Sequence, residues 1–157
     1  MRLVEAKDDW FLFHVTKRER ALLTQVLKQF PVGSGPRGPL SKSGDPAKLA
    51  DNEAFLAEVL AEQRAEHRRQ LDLFLGEQGR FADDPKGGYR VRFANTQMDW
   101  LLRVLNEIRV GLWRKLGEPQ DLAPLALAGQ LDAVVTMELC ALFQTRLLAA
   151  LNGEGPQ

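Results

Sequence analysis

The chain has few of the side chains that build metal centres, disulfide frameworks or nucleophilic sites. Its 157 residues include one cysteine, Cys140, and two histidines, His14 and His67. A single cysteine excludes an intramolecular disulfide framework and a zinc site made of several thiolates. We therefore expect no catalytic site, no metal and no cofactor, and we expect Cys140 to be a packed core residue.

An excess of charge of one sign is also absent, since 21 Lys and Arg residues balance 21 Asp and Glu residues. The chain thus has no overall field that would draw it to nucleic acid or to an anionic membrane. No signal-peptide core follows Met1, and the longest apolar-rich segment, residues 122–151, is interrupted by Asp132, Glu138 and Arg146. We expect a cytoplasmic protein without nucleic-acid or membrane partners.

What the chain does have is an ordinary globular composition, with 45% apolar and 27% charged residues, which fits a single domain over residues 1–157. Thr16 and Glu19 form a capping box, a signature of a helix start. Apolar residues recur at helical spacing in four segments, and shorter segments alternate like strands. We predict a β-hairpin over residues 1–15. We predict four helices over residues 16–30, 51–78, 95–116 and 130–151. The connecting loops are predicted over residues 31–50 and 79–94.

The predicted fold class is mainly α, a four-helix bundle-like domain with a short N-terminal β-hairpin. Both faces of the hairpin are largely apolar, so we expect helices to cover at least one of them. Within the second connecting loop, residues 89–93 alternate between apolar and charged side chains like a short strand.

Three patterns that resemble functional motifs have simpler explanations. Residues 33–38 match the letters of the dinucleotide fingerprint G-x-G-x-x-G, but a helix rather than a strand precedes them. Glu58, Glu62 and Glu66 lie one above another on a helix but lack the Glu-x-x-His pairs of di-iron sites, so we expect a solvated face. Residues 86–93 have glycine and arginine where an RNA-recognition strand needs aromatic side chains.

Residues 106–109 contain the most informative polar side chains. Asn106 and Arg109 lie on the third predicted helix, and Arg109 falls beside apolar residues of its core stripe. A buried charge must be paired, and Glu138 interrupts the apolar stripe of the last helix. We therefore predict an ion pair between Arg109 and Glu138 that fixes the helix register. The alternative to this ion pair is that Arg109 contacts a ligand.

The third helix also carries a family resemblance. Residues 100–109, with the sequence Trp-Leu-Leu-Arg-Val-Leu-Asn-Glu-Ile-Arg, are followed by Leu112 and by Leu116 and Gly117. This pattern resembles the signature of a bacterial family catalogued as domain of unknown function 2017. The order of elements is similar over most of the chain, and the distinctive part covers residues 96–117.

The resemblance implies a cytoplasmic helical protein without an assigned activity. In actinobacteria the family is associated with genes near the Clp-protease adaptor, so the resemblance implies Clp-protease adaptor machinery as a protein partner. It supplies no catalytic residues.

Two functions remain as alternatives. The first is a non-enzymatic protein-interaction or adaptor-type domain that self-associates, because Trp100 lies off the core stripe on a face that suits a partner helix. The same position equally suits a tryptophan that covers the hairpin. The second is a small-molecule-binding regulatory protein with a basic pocket around Arg109. An exposed apolar patch containing Trp100 or Trp113 favours the first, and a pocket exposing Arg109 favours the second.

Overall fold

The structure, a computed structural model, describes residues 1–33 and 45–154. Along this part of the chain, each of two strand pairs is followed by a group of helices. In order, they are β1 (Arg2–Ala6), β2 (Trp10–Val15), α1 (Lys17–Leu27), α2 (Pro46–Gly76), β3 (Phe81–Asp83), β4 (Tyr89–Ala94), α3 (Asn95–Lys115), a short α4 (Ala123–Leu125), a π-helical segment (Ala126–Gln130) and α5 (Leu131–Leu151).

The strands form one antiparallel sheet in the order β1-β2-β4-β3, so the predicted fold class is wrong. The predicted hairpin is present as β1 and β2, but β2 also pairs with β4, with Phe11 opposite Phe93 and Phe13 opposite Val91. The sheet therefore extends into residues 79–94, which were predicted to be a loop. Because it is larger than a hairpin, the fold is an α+β arrangement rather than a helical bundle.

The two edges of the sheet are irregular or short. The register between β1 and β2 shifts between Leu3 and Glu5, which marks a bulge in the β1 edge. At the other edge, β3 has three residues and is joined to β4 by a turn that contains Asp84. The Asp84 carboxylate accepts hydrogen bonds from Arg90 Nε at 2.8 Å and from the Lys86 amide at 2.9 Å. These contacts hold the turn that brings β3 alongside β4.

One face of the sheet carries the core. Phe13 and Phe93 are buried there with their ring centres 5.7 Å apart in an edge-to-face arrangement. Helices α1, α3 and α5 pack together over this face. On the opposite face no helix is needed, because Arg92 lies over the ring of Trp10 at 4.3 Å and shields it from water.

Helix α1 begins at the predicted capping box. The Glu19 amide donates to the Thr16 hydroxyl at 3.1 Å, and the Thr16 amide donates to the Glu19 carboxylate at 2.8 Å. The helix ends at Leu27, three residues before the predicted end. Most of the predicted loop over residues 31–50 lies outside the described residues, and so does nearly all of the G-x-G-x-x-G pattern.

Helix α2 is the longest element, and only part of it packs into the core. It begins at Pro46, five residues earlier than predicted, with Asp45 as its cap. Its buried residues, His67, Leu71 and Phe74, all lie in the second half. The first half is largely exposed, including the aromatic ring of Phe55. This half therefore contributes little to the core.

Candidate interaction surface and polar groove

The structure does not form the ion pair predicted between Arg109 and Glu138. Both side chains are exposed, and no salt bridge or hydrogen bond joins them within the described ranges. Glu138 is not among the buried residues of α5 and lies on its exposed face. Asn106 is also exposed on α3, and its neighbour Glu107 contacts Arg64 at 3.4 Å instead.

The two tryptophans of the predicted site are packed against the protein itself. Trp100 is 8% exposed, and its ring meets the ring of Phe74 edge to face at 5.8 Å. Trp113 is half-buried and donates its indole N–H to the Pro119 carbonyl at 3.0 Å. Neither ring lies on an exposed apolar patch, so the surface expected around them is absent. Trp100 packs against Phe74 of α2.

Among the described helices, α5 has the most exposed large apolar residues, because it is apolar on two faces. Its inner face, which packs on α1 and α3, consists of Thr136, Met137, Cys140, Phe143, Leu147 and Ala150. On its outer face, exposed residues recur at intervals of four, three, four and three positions. We call these residues the outer seam: Leu131, Val135, Glu138, Leu142 and Thr145.

The outer seam has the spacing of a coiled-coil contact. A repeat of four and three residues keeps side chains in one line along a helix, and it is the pattern by which two helices interlock. Leu131, Val135 and Leu142 are 54%, 45% and 47% exposed. Aliphatic side chains exposed at regular spacing on one line mark a contact surface more strongly than scattered ones. The seam is therefore a candidate protein-binding site.

Apolar exposure continues beyond the N-terminal end of the seam. Leu127, in the π-helical segment, is 92% exposed. Gly129, at a φ of 86°, interrupts the helical backbone between Leu127 and α5. Glycine suits this conformation because a Cβ atom would disfavour it. The break turns the segment before it away from the axis of α5.

Two opposite charges accompany the seam. Glu138 lies on it, and Arg146 flanks its C-terminal half. Both are exposed, and neither forms an intramolecular ion pair with any residue in ranges 1–33 and 45–154. Several of the ion pairs on the described surface lie within one helix, such as Arg103 and Asp99 at 3.1 Å. Glu138 and Arg146 are thus available to an outside partner.

The same C-terminal segment is apolar enough to cross a membrane by length and composition. Residues Ala123–Leu151 contain a window of mean hydropathy 1.5, with 17% of its residues buried. Asp132, Glu138 and Arg146 interrupt the segment but still leave a window of this mean hydropathy within it. The core helix of a soluble protein meets the same criteria, and the inner face of α5 is core. Hydropathy alone assigns no membrane role to it.

The thiol of Cys140 is a poor nucleophile. Burial raises the pKa of its thiol to about 12, so the nucleophilic thiolate is scarce at neutral pH. Its side chain is fully enclosed on the inner face of α5. In ranges 1–33 and 45–154, no group of three or more His, Cys, Asp or Glu residues is placed to hold a metal ion.

A groove between α2 and the start of α3 is the feature that sequence reasoning missed. Its cavity of about 500 Å³ is lined by all three residues of the described part of the chain that carry a buried side-chain polar atom without a hydrogen-bond partner. These atoms are His67 Nδ1, Gln70 Oε1 and Arg80 Nε. Buried polar groups are normally hydrogen-bonded, so such a cluster is unusual.

His67 marks the floor of this groove and is 7% exposed. Its spacing from Leu71 and Phe74, four and seven residues on, is the signal that would have placed it on the buried face of α2. Glu66, beside it, is engaged by Arg69 and Gln70, whose hydrogen bonds lower the pKa of the Glu66 carboxyl.

Comparison of the chain with protein-family models, with curated proteins and with solved structures finds no match. The resemblance of residues 96–117 to the domain of unknown function 2017 family stays a prediction.

Proposed function

We propose that this chain is a non-enzymatic protein-interaction domain that binds its partner through the outer seam of α5. The observation that carries the proposal is the row of exposed aliphatic side chains at coiled-coil spacing, Leu131, Val135 and Leu142. A helix that is apolar on two faces buries only one of them in this fold. Covering the second face with a partner helix removes it from water, which is the main source of affinity in helix-to-helix contacts.

The chemistry of the rest of the chain agrees with a binding role. The sole cysteine is enclosed and protonated, and the predicted polar residues Asn106, Arg109 and Glu138 are spread over separate exposed positions. Clp-protease adaptor machinery, implied by the family resemblance, is one protein partner to test. The surface used would be the seam rather than Trp100 or Trp113, since both rings are packed against the protein.

The test compares two leucines on the same helix. Leu142 lies on the seam and Leu148 lies off it, and they are 47% and 48% exposed. We expect Leu142→Glu to abolish capture of partners from the lysate of cells that carry the gene, including further copies of the chain itself. Leu148→Glu places the same charge at the same exposure, so it should leave capture intact. Mass spectrometry of the captured proteins provides the measurement.

Equal loss of binding in both variants would contradict the proposal, because the effect would then not depend on the seam. Undiminished binding by Leu142→Glu would contradict it as well. Circular dichroism of each variant verifies that the fold is intact.

A second candidate function is the binding of a small polar molecule in the groove between α2 and α3. The supporting observation is the cluster of unpartnered atoms on His67, Gln70 and Arg80. The three residues line a cavity of about 500 Å³, which is of the size used for small polar ligands. This candidate replaces the basic pocket expected around Arg109, which is exposed on α3.

Native mass spectrometry of the purified protein tests this second candidate. We expect a bound species of discrete mass in the wild type that is lost in a His67→Leu, Gln70→Leu double variant. Those substitutions remove two of the unpartnered groups while keeping the volume of the groove similar. A wild-type spectrum with only the mass of the chain would count against it.

A further inference from the structure

We propose that the occupant of the outer seam is a second copy of this chain, with two α5 helices lying antiparallel across a twofold axis at Leu142. This inference rests on the proposed function and adds the identity and orientation of the partner. It is argued from the positions of two charges along the seam, Glu138 and Arg146.

Glu138 and Arg146 are placed symmetrically about Leu142. Each lies four residues from it, which is about 6 Å along a helix. When two identical helices run antiparallel with Leu142 facing Leu142, residue 138 of each copy therefore lies opposite residue 146 of the other. The arrangement forms two reciprocal Glu138–Arg146 pairs, one on each side of the axis. A twofold contact is self-complementary in this way by necessity.

The same register matches the apolar residues. Val135 and Ala149 lie at seven residues on either side of Leu142, so the larger side chain of one copy meets the smaller side chain of the other. Alternation of large and small residues allows two helices to approach closely at a seam. Both residues are at least partly exposed in the single chain.

The charges also exclude the parallel arrangement. In a parallel pair, Glu138 would face Glu138 and Arg146 would face Arg146, and like charges directly opposed are unfavourable. Since neither residue has an ion-pair partner within its own chain among the described residues, both are free to pair across the interface. The zero net charge of the chain adds no long-range repulsion between copies.

Charge reversal tests this geometry through a distinctive pattern. Glu138→Arg alone places arginine opposite arginine twice, and Arg146→Glu alone places glutamate opposite glutamate twice. Each single variant should weaken self-association about tenfold or more in sedimentation velocity measurements, because two attractive contacts become repulsive. Mixing the two single variants should restore association as a heterodimer, since every facing pair is then again of opposite charge.

Two controls accompany the mixing experiment. The double variant Glu138→Arg, Arg146→Glu should associate with itself like the wild type. Glu58→Arg makes the same chemical change at an exposed position of α2, away from the seam, and should leave association unchanged. These controls separate the position of the charge from its effect on net charge.

A wild-type chain that stays monomeric at about 100 μM would overturn the inference, as would single variants that associate normally or a mixture that does not recover. A monomeric chain that co-floats with phosphatidylcholine vesicles would overturn it in favour of a bilayer as the occupant. If instead the chain is monomeric but Leu142→Glu still abolishes capture of another protein, the second copy is wrong and the proposed function stands.

Discussion

Helices α3 and α5 have the same length and pack against each other, yet they differ in what they leave outside. Each has 21 residues, and they bury seven and six residues respectively. No large apolar residue of α3 is exposed in the described structure, whereas α5 exposes Leu131, Val135, Leu142, Leu148 and Leu151. The outer face of α3 carries charged and polar residues such as Arg103 and Asn106. Folding of one chain therefore removes the large apolar side chains of α3 from the surface but leaves several of those of α5 exposed.

The largest change in stability that this contrast predicts comes from substitution of a core residue of α3. Leu105→Ala removes a fully buried side chain between α3 and its neighbours. We expect it to lower the free energy of unfolding by about 3 kcal/mol, because burial is lost and a cavity remains. Leu148→Ala, on the outside of α5, should cost less than about 1 kcal/mol. Urea denaturation of both variants measures the difference, and equal losses would contradict the contrast.

A smaller effect is expected at Gly111, where α3 approaches the chain that follows α1. A Cβ atom at Gly111 would lie 2.8 Å from Cβ of Val32, closer than the packing permits. Alanine normally favours a helix over glycine by about 1 kcal/mol, but here we expect Gly111→Ala to destabilise by about 1–2 kcal/mol. In a Val32→Gly background the same change should become stabilising. Thermal unfolding of the four proteins tests the reversal of sign.

The smallest effect is expected away from both helices, at Asp84 in the turn between β3 and β4. The hydrogen bond from Arg90, followed by that from the Lys86 amide, lowers the pKa of the Asp84 carboxyl. A carboxyl whose pKa is lower in the folded state stabilises the fold above its unfolded pKa, and this stabilisation disappears as the pH falls through the folded pKa. The wild type should therefore exceed Asp84→Asn in stability at pH 7.

Denaturant titrations at successive pH values measure this difference between the wild type and Asp84→Asn. It should shrink as the pH falls from about 5 towards 2. A difference that stayed constant over this range would show that the Asp84 charge does not stabilise the turn.

The parts of the fold that depend on local pattern were predicted from the sequence. The capping box at Thr16 is confirmed by its two hydrogen bonds, and α3 begins at Asn95 as predicted. The capping-box signal lies within four neighbouring residues, so it does not depend on the rest of the chain.

The parts that depend on distant contacts were missed. Strand β3 has three residues, too few for alternation to be recognised, and the pairing of β2 with β4 joins residues 74 to 84 positions apart. Periodicity placed Arg109 and Glu138 on helices, but it does not give the rotation of one helix relative to another. In the structure Glu138 falls on the exposed face of α5. The same limit concealed Phe74 as the residue that covers Trp100.

The irregular edges of the sheet have a consequence for how copies of this molecule can aggregate. An exposed edge strand that is long and flat offers its amides and carbonyls to another strand and can seed fibrils. Here the bulge between Leu3 and Glu5 distorts one edge, and the other edge, β3, ends after three residues. Neither edge is a good template for strand addition. Growth of open-ended β-stacks is therefore disfavoured, even in a chain with no net charge to keep its copies apart.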